Sequence, residues 1–146
     1  MSEARRGEYK PKWNNAVSPY LMVENVEGEV TFLKNVFDAE VVELNRRPDG
    51  SAFHAEIRID DSVVMVGEAG GNWPATRAHI HVYVKDVDHV YKRATENEAE
   101  NLRQPEDEFY GNREGGFTDP AGNHWWIAQF MKEMSEEEIA KNYPRK

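Results

Sequence analysis

The strongest constraint on this chain is that it repeats itself. Val23-Glu24-Asn25-Val26 is matched 61 positions later by Val84-Lys85-Asp86-Val87, and Ala39-Glu40 is matched 60 positions later by Ala99-Glu100. Short matches recur by chance, but here each falls in the same predicted setting of strand, helix N-cap and amphipathic helix. Self-similarity at a fixed period marks one supersecondary unit used twice. In the first copy, Ser18 to Val23 alternates as a strand, with Pro19 near its start, where a missing N–H is tolerated at a sheet edge. Asn25 caps a helix whose apolar residues Val26, Val30, Leu33 and Phe37 are spaced 4, 3 and 4, and which ends near Asp38. Val41 to Leu44 reads as a short strand and Pro48-Asp49-Gly50 as a turn. Phe53 to Ile59 alternates strictly, and Asp60-Asp61-Ser62 turns the chain into Val63 to Gly67. The unit is β-α-β-β-β.

In the second copy, His79 to Val84 is the first strand, Asp86 takes the capping place of Asn25, and Val87, Val90, Tyr91 and Ala94 mark the inner face of the helix. Asp119-Pro120-Ala121-Gly122 is hairpin chemistry, since proline presets φ and glycine supplies positive φ. The strand that leaves it is His124 to Phe130, and the repeat aligns Trp126 with Met65. Glu68 to Arg77, with its glycines and proline, reads as a linker between the modules, which span residues 18–68 and 78–130. Ser135-Glu136-Glu137-Glu138 is a capping box opening a short helix over residues 135–142. Residues 1–17, polar and basic with scattered aromatics, read as a flexible or loosely docked arm.

Composition narrows the function classes. A chain of 146 residues with 39% hydrophobic content buries one proper core, so residues 18–146 are expected to form a single domain. A net charge of −9 argues against nucleic acid or an anionic membrane as partner, and suits a cationic ligand or plain solubility. The absence of cysteine excludes disulfides, thiolate metal sites and thiol nucleophiles. No run approaches the roughly 18 apolar residues of a membrane span, and the N-terminus lacks an apolar signal-peptide core, so a cytoplasmic location is the default expectation.

Two β-α-β-β-β modules predict an α+β fold of two curved mixed sheets around a cavity, with helices on the outer faces. Each helix is apolar on one side only and must cover an apolar sheet face, which assigns Ala55, Ile57, Ile59, Ile80, Val82 and Val84 to the helix side. The opposite face then carries Ser18, Tyr20 and Met22, then His54, Glu56 and Arg58, then Met65, His79, His81 and Tyr83, and finally His124 and Trp126. Tyr20, Met22, Met65, His79, His81, Tyr83 and Trp126 are thus the candidate ligand-binding residues, joined by Tyr110 and Arg113 in the segment before the third strand of module two. Arg113 has a duller alternative, pairing with a local carboxylate such as Glu106 or Asp107. His54 and Glu56 are candidate catalytic residues, a general acid–base pair needing no metal. Gly67-Glu68-Ala69-Gly70-Gly71 is not a phosphate-binding loop, because Asn72-Trp73-Pro74 and not a helix follows it.

The duplication, the opening SPYLMVENVEGEVTFLKNVFDAE, the middle HAEIRIDDSVVMVGE and the late YGNREGGFTDPAGNHWWIAQ together resemble the vicinal-oxygen-chelate superfamily of glyoxalase I, extradiol dioxygenases and bleomycin-resistance proteins. Within it the chain is most similar to the PhnB-like, glyoxalase-like branch. The resemblance implies four metal-ligand positions, which fall on Ser18, Met65, His79 and Trp126, and of these only His79 binds a divalent ion well. The expectation is therefore a small-molecule binding protein with no metal cofactor, taking an apolar or cationic ligand. The alternative is an enzyme of the superfamily, a lyase, isomerase or dioxygenase. It would use Glu56 as base or a divalent metal relocated to His54, Glu56, His79 and His81. The resemblance also implies a homodimer.

Overall fold

The computed structural model describes residues 7–144. The first six residues of the N-terminal arm, Arg5 and Arg6 among them, and the last two of the chain lie outside the described residues. The elements follow one another as β1 (Tyr20–Val23), α1 (Val26–Phe37), β2 (Glu40–Arg46), β3 (Ala52–Ile59), β4 (Ser62–Glu68), β5 (His79–Tyr83), α2 (Val87–Glu96), β6 (Glu100–Asp107), β7 (Asn112–Thr118), β8 (His124–Phe130) and α3 (Glu136–Asn142). Two compact units divide between Thr76 and Arg77. Each holds one four-stranded mixed sheet, ordered β1-β4-β3-β2 in the first and β5-β8-β7-β6 in the second. The fold is the α+β pair of tandem βαβββ modules that the repeat predicts.

In the first unit β1 runs parallel to β4, while β4, β3 and β2 are antiparallel neighbours. Pro19 precedes this edge strand, and its carbonyl accepts from the Met65 amide at 2.9 Å. The Asn25 side chain accepts from the Gly28 amide at 2.9 Å, satisfying one of the free amides at the start of α1. Asp38, in the left-handed region at φ 53°, ends the helix. The buried face of α1 is formed by Val26, Val30, Phe32, Leu33 and Val36, and it meets the face of β3 and β4 carrying Ala55, Ile57, Val64 and Val66. The second unit repeats the plan: Asp86 accepts from the His89 amide at 3.1 Å, and Val87, Val90 and Ala94 are the buried residues of α2. Ser135 caps α3 by accepting from the Glu138 amide at 3.1 Å.

The repeat spacing changes twice, from 61 at Val23 and Val84 to 60 at Ala39 and Ala99 and back to 61 at Met65 and Trp126, and the registers locate the second change. Ile59 pairs with Ser62 across a turn of Asp60-Asp61, whereas Asp119 faces Asn123 across Pro120-Ala121-Gly122. The extra residue sits in the turn, with Gly122 at φ 99°, so spacing 60 before it becomes 61 after it and the strand faces stay aligned.

That second turn is anchored in the core. Asp119, Asn123 and Trp125 are all buried. The Asp119 carboxylate accepts from the Trp125 indole at 2.8 Å and from the Asn123 amide at 2.9 Å, and Asn123 Oδ1 accepts from the Ala78 amide at 3.0 Å, tying the turn to the start of β5. Replacing Asp119 by Ala strands a buried indole N–H, so Asp119→Ala is expected to lower the unfolding free energy by about 2–4 kcal/mol. Asp61→Ala, in the exposed turn of the first unit, is expected to stay within about 0.5 kcal/mol. Urea denaturation of both variants checks the contrast.

Candidate functional site

Period-two alternation places His54 and Glu56 on the face of β3 turned away from α1, and the structure keeps them there. Glu56 is buried and His54 half-buried. Their third partner comes from β2. Val41 opposes Ile57, so a regular ladder would set Val42 against Glu56; instead the register shifts and Glu43 opposes Glu56. This bulge re-aims one side chain onto the face where the period-two pattern would put its neighbour. Ligating atoms of Glu43, His54 and Glu56 all lie within 4.8 Å of one another. Among the described residues they are the one group of three such side chains so close together.

The surroundings orient the cluster. Asn14 Nδ2 donates to Glu56 Oε1 at 2.6 Å, and Glu56 Oε2 stands 3.5 Å from His54 Nε2. The other ring nitrogen, His54 Nδ1, is 3.1 Å from the Tyr20 hydroxyl. Tyr20 reaches it because its ring lies over Gly67, where an added Cβ would fall 2.7 Å from Tyr20 Cε1. Met65 pairs in register with both Tyr20 and Glu56, and Met22 with Gly67, so these residues share the face. The segment ahead of β1 docks on the same sheet: Asn15 Oδ1 accepts from the Val63 amide at 2.7 Å. Asn14 and Glu43 are the members that sequence reasoning missed. Asn14 sits in a polar segment without periodicity, and Glu43 depends on a bulge that alternation does not foretell.

His79 and His81 belong to the second unit, with Tyr83, Tyr110, Arg113 and Trp126. The three-residue cluster of the first unit is completed by Glu43. At the matching positions of the second unit the same shift occurs between Asn101 and Arg103, which sets Arg103 against Gly116 where the first unit has Glu43 against Glu56. Arg103 is held by Glu106 at 2.8 Å and by Glu108. Glu114 takes the place of His54, accepting from the Tyr110 hydroxyl and, at 3.0 Å, from Asn112 Nδ2, with His81 Nε2 at 3.8 Å. Burial, and then the hydrogen bond to Glu114, push the Tyr110 phenol above its ordinary value and keep it a donor. Arg113 takes the pairing alternative, with Asp88 at 3.0 Å and Asp107 at 3.2 Å in place of Glu106.

The four positions where the resemblance implies metal ligands do not make a donor set. Ser18 Oγ accepts from Asn15 Nδ2 at 2.9 Å, and Met65 and Trp126 offer no hard donor. Trp126 Nε1 donates to His79 Nδ1 at 3.1 Å, and its ring occupies the space over Gly116, where a Cβ would approach to 2.7 Å.

His79 also lies beside His124, with ring centroids 4.8 Å apart, and His124 Nδ1 is 2.8 Å from the Thr118 hydroxyl. Burial lowers the His124 imidazole below its ordinary value of 6.5, His79 and Arg77 add to this, and Asp119 opposes it. The folded chain then holds a neutral ring that the unfolded chain protonates. Stability is expected to fall as pH drops below about 6.5 through the depressed folded value, and to gain nothing from this group above it. Thermal melts between about pH 7.5 and pH 5 check the sign: His124→Gln should lose less stability on acidification than the natural chain.

Comparison with known proteins gives one consistent answer. The sequence profile of the Glyoxalase/Bleomycin resistance protein/Dioxygenase superfamily matches residues 15–127. An uncharacterized protein of Mycobacterium bovis is 35% identical over 137 residues, covering 85% of this chain and 89% of that one. A Mycobacterium tuberculosis relative has the same identity, with 79% of its length covered. Among solved structures, TioX from Micromonospora sp. ML1 is similar with a TM-score of 0.71 at 22% identity, over 81% of this chain and 100% of that one. A glyoxalase-related enzyme from Fulvimarina pelagi has a TM-score of 0.63 at 18% identity, over 79% and 87%. A PhnB protein from Bacillus cereus has a TM-score of 0.61 at 18% identity, over 79% and 99%. At these identities the structural likenesses speak to the fold.

Proposed function

The chain belongs to the glyoxalase, bleomycin resistance protein and dioxygenase superfamily, and within it we propose that this protein is a small-molecule binder whose ligand is a cation held on the polar face of the first sheet. The observation that carries the reading is the placement of Glu43 and Glu56 directly across two neighbouring strands, with His54 beside them. Two carboxylates about 4–5 Å apart repel by roughly 3–4 kcal/mol at the effective dielectric of a protein site, and a cation between them turns that repulsion into attraction. Arg58, next along the same face of β3, pairs with Glu40 at 2.8 Å. Tyr20 and Met65 offer an aromatic ring and a polarisable sulfur beside the carboxylates, surfaces suited to the body of an organic cation.

A second reading, an enzyme of the superfamily with Glu56 as general base, is favoured by the chain of contacts Asn14–Glu56–His54–Tyr20, which would steady the base and offer a path for its proton. Under that reading Glu56→Gln abolishes turnover and leaves binding nearly intact.

Thermal-shift and calorimetric titration with benzyltrimethylammonium, small aromatic amines and their neutral isosteres test the leading reading. The cations are expected to stabilise the protein, and Glu56→Gln to weaken them tenfold or more, about 1.4 kcal/mol. Equal binding of the neutral isosteres, or cation binding unchanged in Glu56→Gln, would overturn it.

A further inference from the structure

Resting on that reading of the first sheet, we propose that the cation site of Glu43, His54 and Glu56 takes a divalent first-row transition ion, with Asn14 and Tyr20 as positioning residues that aim two of the three ligands. The donor set is one imidazole nitrogen and two carboxylates. An imidazole suits Zn²⁺, Ni²⁺, Co²⁺ or Fe²⁺, whereas Mg²⁺ and Ca²⁺ prefer all-oxygen shells. Bonds of about 2.0–2.2 Å to a shared ion put two ligating atoms roughly 3–3.5 Å apart. His54 Nε2 and Glu56 Oε2 already stand 3.5 Å apart, and Glu43 closes the group within 4.8 Å.

The neighbours of these side chains behave as the outer shell of a metal site does. A ligating imidazole ordinarily engages its second nitrogen with an oxygen, which fixes the tautomer and the direction of the free lone pair. Tyr20 does this at His54 Nδ1, at 3.1 Å, leaving Nε2 to face Glu56. A ligating carboxylate is itself hydrogen-bonded, and Asn14 holds Glu56 Oε1 at 2.6 Å, with Oε2 on the His54 side. Both supports depend on features that a plain sheet lacks: the bare Gly67, over which the Tyr20 ring lies, and the docked segment ahead of β1 that carries Asn14. The second unit serves as an internal comparison. With the same bulge, it places Arg103 and Gly116 at the positions of the two carboxylates, so the backbone alone does not make the site.

The test uses the full chain, stripped with chelator and dialysed, titrated with ZnCl₂ by calorimetry and with CoCl₂ by visible absorption, beside MgCl₂ and CaCl₂. The expected result is one equivalent of Zn²⁺ and of Co²⁺ per chain, the latter with the ligand-field bands of a bound ion, and no competition from Mg²⁺ or Ca²⁺. Glu43→Gln and His54→Gln should each weaken Zn²⁺ at least tenfold. Tyr20→Phe and Asn14→Ala should weaken it about tenfold through the orientation of the ligands. His89→Gln, at an exposed helical histidine, should change nothing. Melting of the chelated variants at the temperature of the natural chain shows that they fold, and the Co²⁺ spectrum reports on the site in any variant that melts lower. Zn²⁺ binding that survives both Glu43→Gln and His54→Gln, or is lost in His89→Gln, overturns the proposal. If organic cations bind and Zn²⁺ does not, the metal is wrong and the wider cation reading stands. If neither binds, both fall.

Discussion

Each sheet is covered by a single helix, and that asymmetry governs the rest of the molecule. A helix with one apolar stripe can bury one face of a sheet, so α1 takes the side of β3 and β4 carrying Ala55, Ile57, Val64 and Val66 and leaves the other side to different chemistry. Nearly everything of functional interest in the first unit is on that other side. The strand period of two does the sorting: residues next to one another in β3, such as Ala55 and Glu56, meet wholly different surroundings.

This is why much of the fold was legible in the sequence. Asn25 and Asp86 announced their helices, the alternation of Phe53 to Ile59 assigned its faces, and the Asp119-Pro120-Ala121-Gly122 turn announced the hairpin of the second unit. The site was legible only in part, for physical reasons. His54, Glu56 and Tyr20 follow the alternation, so their common face can be read from the sequence. Glu43 cannot be placed that way, because a β-bulge is a local break in the very periodicity from which faces are read, and nothing in Val41 to Leu44 marks it. Nor can Asn14, because a segment outside regular structure has no period to interpret, and its role appears only through its bond to Glu56. Arg113 shows a third kind of blindness. Its nearby acids were visible, but its bidentate partner Asp88 lies 25 residues away on α2.

The two units share a backbone plan and differ in what they hang on it. At the three equivalent positions the first has Glu43, His54 and Glu56, and the second has Arg103, Glu114 and Gly116. One arrangement gathers negative charge and an imidazole. The other disperses its charge, with Arg103 answered by Glu106 and Glu108 and with Trp126 spread over the bare Gly116. Ion pairs as exposed as those of Arg113 add little to stability, so the difference between the units is mainly one of surface chemistry.

The single residue that separates the turn at Asp60-Asp61 from the turn at Pro120-Ala121-Gly122 has a consequence beyond the turn itself. An added residue inside a strand would invert every side chain after it, turning Trp125 out and Trp126 in. Placed where the chain reverses, it is absorbed, and β8 arrives with the same side up as β4. A scaffold that takes up changes of length at its corners is free to exchange chemistry one position at a time, because no substitution on a strand has to be matched by a shift of the frame around it.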